Sequence, residues 1–219
     1  QGWLGKMPTI EDLQNPKSDL ASEIYGSDGK VLGKYFYQNR TNVGYEGLSP
    51  HLINALVATE DERFRDHPGI DWKGTIRAVA YLGSRGGAST ITQQLAKMLF
   101  TERRSTNKLK RVVQKIQEWI ISAKLERYYT KDEIIAMYFN RFDFVNNAVG
   151  VKSASQVYFS TSPDSLEIHE AAMLVGMAKN PSLFNPIRRP DTTFQRRNVV
   201  LGQMVRNRYI TQEEYDSIS

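Results

Sequence analysis

Apolar residues recur at intervals of three and four along most of the chain, a spacing that places them on one face of an α-helix. Capping boxes, in which a hydroxyl residue stands three positions before a glutamine or glutamate, begin at Thr90, Thr130 and Thr211. The pattern predicts a mainly α fold, with helices over 49–64, 72–82, 90–100, 107–128, 132–139, 165–179 and 192–208 and one from 211 onward.

The only strand-like segment lies near the start of the chain. The ranges 22–25 and 31–37 flank the tetrapeptide Gly-Ser-Asp-Gly, which predicts a short β-hairpin with an Asp-Gly turn. A hairpin of this size cannot form a core by itself. We therefore expect residues 1–48 to be a lead-in with a hairpin, and residues 49–219 to form the main domain.

Composition excludes several kinds of chemistry. The 219 residues include no cysteine, so there is no disulfide, cysteine metal ligand or thiol nucleophile. The 3 histidines do not stand at helical ligand spacing from one another, so we do not expect a zinc site. No apolar run reaches the roughly 20 residues that span a bilayer. Because the chain begins with Gln1, we expect that a membrane anchor or leader precedes it.

Positive charge is concentrated in one stretch. The net charge is +5, and residues 101–131 contain nine Lys and Arg against three acids, so the remainder sums to about minus one. Such a segment suggests phosphates, whether of nucleic acid, anionic lipid or a pyrophosphate group. A solvated helix face is the alternative, and charge alone favours it.

Glu60 is the most informative single residue. On a helix it falls on the same stripe as Val57 and Phe64, where an acid is costly unless it is neutralised or paired. Burial disfavours the charged form of a carboxyl, and proteins tune general acids and bases in this way. The equally weighted alternative is a carboxylate that caps or pairs with Arg63 or Arg65.

A cluster of hydroxyls and amides marks the predicted helix start after residue 87. Ser89, Gln93 and Gln94 lie where exposed backbone N–H groups favour an oxygen-rich or anionic ligand, and Lys97 follows one turn later. Ordinary capping explains Thr90 but not the paired glutamines.

Four further residues have unremarkable predicted roles. Glu118 lies opposite the main apolar stripe of its helix, so position alone predicts that it is exposed to solvent. We expect His67 to be a structural hydrogen-bonding group, and Trp72 and Trp119 to belong to the core.

Five segments follow one another along the chain: EDERFRDHPG (60–69), GASTITQQLAK (87–97), QKIQE (114–118), KDEIIAMYFN (131–140) and RRNVVLGQM (196–204). In this order they resemble the five motifs of the peptidoglycan glycosyltransferases (family 51), found in class A penicillin-binding proteins and in monofunctional enzymes. One such motif would be weak, but all five in order over 49–204 are specific.

The resemblance implies a reaction. Lipid II would be polymerised into β-1,4-linked glycan strands by inverting glycosyl transfer, with release of undecaprenyl pyrophosphate. Glu60 would be the general base, and Glu118 a second catalytic acid that supports the donor site or holds a divalent ion (Mg²⁺ or Mn²⁺); the sequence itself requires no cofactor. The resemblance assigns substrate binding to Asp61, Phe64, Ser89, Gln93, Gln94, Lys97, Arg104, Lys115 and Asn140.

One motif departs from the family pattern. The third motif usually begins Arg-Lys, and here Gln114 precedes Lys115. The stretch before it is rich in bases, so the missing arginine is expected to be replaced by Arg104, Lys108, Lys110 or Arg111.

The family resemblance also implies surroundings. The expected fold is a lysozyme-like helical lobe with a smaller, membrane-facing jaw lobe. The expected location is the outer face of the bacterial cytoplasmic membrane. Expected partners are lipid II, the growing glycan strand, the membrane surface and a transpeptidase domain or other cell-wall synthesis proteins, but not nucleic acid.

Two rival functions compete with this interpretation. A lysozyme-like enzyme that cleaves glycans would also use a buried glutamate, but its leaving group is a sugar oxygen that needs an acid rather than a cluster of bases. A non-enzymatic domain that binds anionic membranes would explain the basic segment but not Glu60 on an apolar stripe. Fold alone would not decide between them.

Overall fold

A computed structural model describes residues 8, 9, 12, 22–25, 31–35, 42–80, 89–100 and 107–219. Most of this part is helical, so the prediction of a mainly α fold is confirmed. Its helices are α1 (Pro50–Glu60), α2 (Trp72–Ala80), α3 (Ile91–Phe100), α4 (Lys108–Tyr128), α5 (Lys131–Arg141), α6 (Val151–Phe159), α7 (Ile168–Ala178), α8 (Pro190–Arg206) and α9 (Gln212–Ile218). No helix in these ranges has the length and apolar character needed to cross a membrane.

Two short strands precede the helices. Strand β1 (Ser22–Tyr25) pairs antiparallel with β2 (Val31–Tyr35), and Ser22 lies opposite Tyr35. The turn predicted between them lies outside the described residues. The division into a lysozyme-like lobe and a jaw lobe stays a prediction.

Two helices differ from the sequence prediction. Helix α1 ends at Glu60 because Asp61 leaves the helical conformation at φ −161°, and a separate 3-10 turn, Phe64–Asp66, follows. Phe64 therefore does not share a helical stripe with Glu60. Helix α6 was missed by the sequence pattern, because it begins after Gly150, at φ 78°, without a side-chain cap.

Helix α1 lies at the centre of the core. It packs against α7 and α8, while α3 packs against α4 and α5. The leucines at these contacts are fully buried, among them Leu52, Leu56, Leu95, Leu174 and Leu201. This packing places the carboxyl end of α1 between α3 and α8, where Glu60 stands.

A partly buried lysine joins three of the sequence motifs. Lys131, at the start of α5, donates hydrogen bonds to the His67 carbonyl at 2.6 Å and to Glu126 Oε1 at 2.8 Å. Its ammonium also lies 4.2 Å from the centre of the Phe64 ring. Thr92 on α3 donates to the same Glu126 oxygen. One ion pair thus connects the loop after α1 with α3, α4 and α5.

We expect Lys131→Met to lower the free energy of unfolding by about 3 kcal/mol, since it leaves the buried Glu126 carboxylate without its countercharge. The matched control is Arg65→Met, which breaks a pair of similar length with Asp132 (2.8 Å) on the surface. An exposed pair contributes less than about 1 kcal/mol. Urea unfolding of both variants measures the difference, and equal losses would contradict the assigned importance of the buried pair.

Candidate active site

A cleft of about 490 Å³ opens between α1, α3, α4 and α8. Six residues predicted from the sequence line it: Glu60, Ser89, Gln93, Gln94, Lys97 and Glu118. They come from segments up to 58 positions apart. Helix α3 packs against α4, and Gln94 of α3 bonds to Glu60 at the end of α1.

Glu60 stands at the carboxyl end of α1, half-buried at the cleft. Gln94 Nε2 donates a hydrogen bond to Glu60 Oε2 at 2.8 Å. The alternative in which Glu60 pairs with Arg63 or Arg65 is wrong. Arg63 binds Asp71 at 2.5 Å, and Arg65 binds Asp132.

Lys115 organises the wall formed by α3 and α4. Its Nζ donates to Ser89 Oγ at 2.8 Å, to Gln93 Oε1 at 3.0 Å and to Glu118 Oε2 at 3.1 Å. The side chain of Glu118 is only 13% exposed, so the prediction of a solvent-exposed residue is wrong. At Glu118, the side of α4 opposite its apolar stripe faces the cleft, not bulk water.

The other predicted basic residues lie on α3, near the start of α4, or outside the described residues. Lys97 on α3 is exposed at the cleft. Arg104 lies in 101–106, outside the described residues. Among the proposed replacements for the missing arginine, Lys110 and Arg111 are exposed near the start of α4.

Three residues predicted to bind substrate contact the protein itself. Asp61 is buried, and its carboxylate bonds to His67 Nε2 at 3.0 Å and accepts the backbone N–H of Ile91 at 3.1 Å. Phe64 is fully buried in the core. Asn140 exchanges two hydrogen bonds with the backbone of Val43, at 2.9 and 2.8 Å. The assignment of these three residues to substrate binding stays a prediction, and the contacts that the structure gives them are within the protein.

Two other expectations concern the aromatic and histidine side chains. His67 has the structural role expected of it, bonded to Asp61 and packed edge-on against Phe64. Trp72, in contrast, is 56% exposed, so its assignment to the core is wrong. It meets the half-buried Trp119 in a T-shaped contact with ring centres 5.7 Å apart.

Sequence reasoning missed the residues of the opposite wall. Lys179 lies just after α7, and Arg196 and Gln203 lie on α8. All three line the cleft. Arg196, Val199 and Gln203 are spaced by three and four, which is the signal that they share one helix face. Burial lowers the pKa of Arg196, and the nearby negative charge of Glu60 opposes that shift.

The charges at the cleft favour an anionic ligand. Lys97, Lys179 and Arg196 line it and Lys115 stands behind one wall, whereas its acids are Glu60 and Glu118. A concave site with an excess of cations concentrates phosphate-bearing molecules.

The described residues do not fit the divalent ion that the family resemblance implies. In these ranges no three His, Asp or Glu side chains come together to hold a metal. The carboxylate of Glu118, the expected ligand, is already bonded to the Lys115 ammonium. We therefore assign no step to a metal.

Comparison with known proteins identifies the class. A family model described as Transglycosylase matches residues 28–205. The chain belongs to the transglycosylase family, and the prediction of a peptidoglycan glycosyltransferase enzyme is confirmed at this level.

Individual relatives are much longer than the chain. Penicillin-binding protein 1A of Escherichia coli (strain K12) is 37% identical over 215 residues, which cover 96% of this chain and 25% of that protein. Penicillin-binding protein 1A of Aquifex aeolicus is 39% identical over 220 residues, covering 96% and 30%. The chain therefore spans less than a third of these relatives. A crystal structure of penicillin-binding protein 1A from Haemophilus influenzae matches 91% of the chain and 20% of its own, at 26% identity and a TM-score of 0.49.

Proposed function

We propose that this domain polymerises lipid II into β-1,4-linked glycan strands by inverting glycosyl transfer and releases undecaprenyl pyrophosphate. The observation that carries the proposal is a carboxylate, Glu60, held by an amide at a cleft with an excess of cations. A transferase that expels a pyrophosphate needs both features.

In the proposed reaction Glu60 acts as the general base. Its Oε2 accepts a hydrogen bond from Gln94, and in the described part of the chain no group donates to Oε1. Oε1 can therefore accept the proton of the acceptor 4-hydroxyl as that oxygen attacks the anomeric carbon of the donor. Positioning of this kind contributes about 10²–10⁴-fold to a rate.

The cations stabilise the leaving group. As the anomeric C–O bond breaks, negative charge grows on the pyrophosphate oxygens, and fixed cations lower the energy of that charge without proton transfer. Lys97 and Lys115 supply the charge on the α3–α4 side of the cleft, and attack from the opposite side inverts the α-linked donor to a β link. A glycan-cleaving enzyme would have no use for this arrangement.

The setting proposed is the outer face of the cytoplasmic membrane, where the lipid tail of the substrate resides. Trp72 and Ile76 are spaced by four on α2 and are 56% and 66% exposed. Val112 on α4 is 58% exposed, one heptad before Trp119, which contacts Trp72. The bases next to these residues in sequence, Lys73, Lys110 and Arg111, are exposed as well. Trp72, Ile76 and Val112 together are the proposed membrane-facing surface. A transpeptidase domain in the same protein, which the family resemblance implies, is part of this proposal.

Replacement of both Trp72 and Ile76 by serine is expected to weaken binding to anionic phospholipid vesicles by about tenfold, since each loses apolar area that would be buried in the interface. The matched control is Ile187→Ser, because Ile187 is 65% exposed on a different part of the surface. Vesicle sedimentation measures the partition coefficients. Equal weakening by the control, or none in the double variant, would refute this surface.

The function itself is tested by incubating the protein with labelled lipid II in detergent and separating the products by gel electrophoresis. The expected result is a ladder of glycan strands. Release of soluble fragments from purified peptidoglycan, with no ladder from lipid II, would favour the glycan-cleaving alternative. Vesicle binding without either reaction would favour the binding-domain alternative.

A further inference from the structure

A tyrosine lies behind the hydrogen bond that holds Glu60. Tyr138 on α5 donates its hydroxyl proton to Gln94 Oε1 at 3.3 Å. Gln94 Nε2 in turn donates to Glu60 Oε2 at 2.8 Å. The two ends of one side-chain amide thus connect the tyrosine to the acid.

The orientation of this amide matters for the acid. Rotated by half a turn, Gln94 would point its carbonyl oxygen at the Glu60 carboxylate, and two acceptors would face each other. In the observed orientation its N–H₂ group faces the carboxylate, so its oxygen must find a donor elsewhere. Tyr138 is that donor.

The tyrosine is well held for this purpose. It is 1% exposed, its ring stacks on Phe142 with centres 5.8 Å apart, and it meets the Phe139 ring edge-on at 5.6 Å. Burial raises the pKa of Tyr138 well above its usual range, and the negative charge of Glu60 raises it further. The hydroxyl therefore keeps its proton and remains a donor.

We propose that Tyr138 is a positioning residue for the reaction, which fixes the Gln94 amide in the one orientation that offers an N–H to Glu60. The inference rests on the glycosyl transfer proposed above. Without the hydroxyl, the Gln94 oxygen loses its donor on the protein, the amide can rotate, and the carboxylate loses its fixed direction toward the acceptor hydroxyl.

The test is a double-mutant cycle on lipid II polymerisation with Tyr138→Phe and Gln94→Met. Tyr138→Phe keeps the ring and is expected to lower kcat about tenfold, because the Glu60 carboxylate is less well oriented toward the acceptor hydroxyl. KM should change little, because the cleft residues remain. Gln94→Met is expected to lower kcat at least as much. In the Gln94→Met background, Tyr138→Phe is expected to have no further effect.

Tyr158→Phe is the matched control. Its hydroxyl donates to the Phe144 carbonyl at 2.7 Å, away from the cleft, so its loss should leave kcat unchanged. If the parent protein is active and Tyr138→Phe does not change its kcat, the inference is overturned. It is also overturned if Tyr138→Phe lowers kcat tenfold both in the parent and in Gln94→Met. An inactive parent would instead reject the proposed transfer reaction.

A second measurement does not depend on the folding of Tyr138→Phe. In tyrosine-labelled protein, NMR should detect a slowly exchanging Tyr138 hydroxyl proton in the parent and faster exchange in Gln94→Met. An unchanged exchange rate in Gln94→Met would show that the hydroxyl does not depend on Gln94 and would overturn the inference.

Discussion

Replacement of Glu60 by glutamine is expected to reduce kcat for lipid II polymerisation by about a thousandfold. The amide has nearly the same shape as the carboxylate, but it cannot take the proton of the attacking hydroxyl. Because Gln94 and the cleft walls remain, KM should change little. Initial rates of strand formation at saturating lipid II measure the effect.

Glu62→Gln is the control for this experiment. Glu62 is exposed two residues further along the chain and does not line the cleft, so its variant should keep the parent rate. Strand formation that survives Glu60→Gln would reject Glu60 as the base, and Glu118 would then be the next acid to replace.

Replacement of Lys115 by methionine is expected to lower kcat/KM by about a hundredfold, which corresponds to the loss of a fixed positive charge near the developing negative charge of the pyrophosphate. The substitution also releases Ser89, Gln93 and Glu118 from their common donor. Glu118 would then lie in the cleft as an uncompensated negative charge that repels the leaving group.

Lys124→Met serves as the control. Lys124 is half-exposed on the same helix and does not line the cleft, so kcat/KM should stay within about twofold of the parent value. Thermal unfolding of both variants separates a loss of charge from a loss of structure. A Lys115→Met variant that is folded and fully active would show that Lys115 does not stabilise the leaving group. Lys179 and Arg196 would then be the next cations to replace.

The sequence was most informative where local patterns determine structure. Apolar spacing predicted most helices, and the capping boxes at Thr130 and Thr211 are present as predicted, with reciprocal bonds to Glu133 and Glu214. At Thr90 only half of the box forms. Gln93 donates its backbone N–H to Thr90, but its side chain bonds to the Gly69 carbonyl and to Lys115 instead.

The site depended on information that local patterns do not contain. The helical period of α4 shows which side is polar, but it does not show whether that side faces water or a cleft formed with other helices. Glu118 was therefore expected to be exposed. Lys179 and Arg196 approach Glu60 only because α7 and α8 pack against α1. Asp61, next to Glu60, turns away because the chain leaves the helix there, a backbone change that residue spacing does not show.

The tie between residues 69 and 90 has a consequence for how the domain can vary. Thr90 Oγ1 donates to the Gly69 carbonyl at 2.7 Å, and Asp61 caps the start of α3 through Ile91. The described part of the intervening stretch, residues 70–80, contains α2 and its exposed Trp72, and the contacts that hold Glu60 and Gln94 in place lie outside it. Substitutions on the exposed face of α2 can therefore change that surface while Glu60 and Gln94 keep their distance.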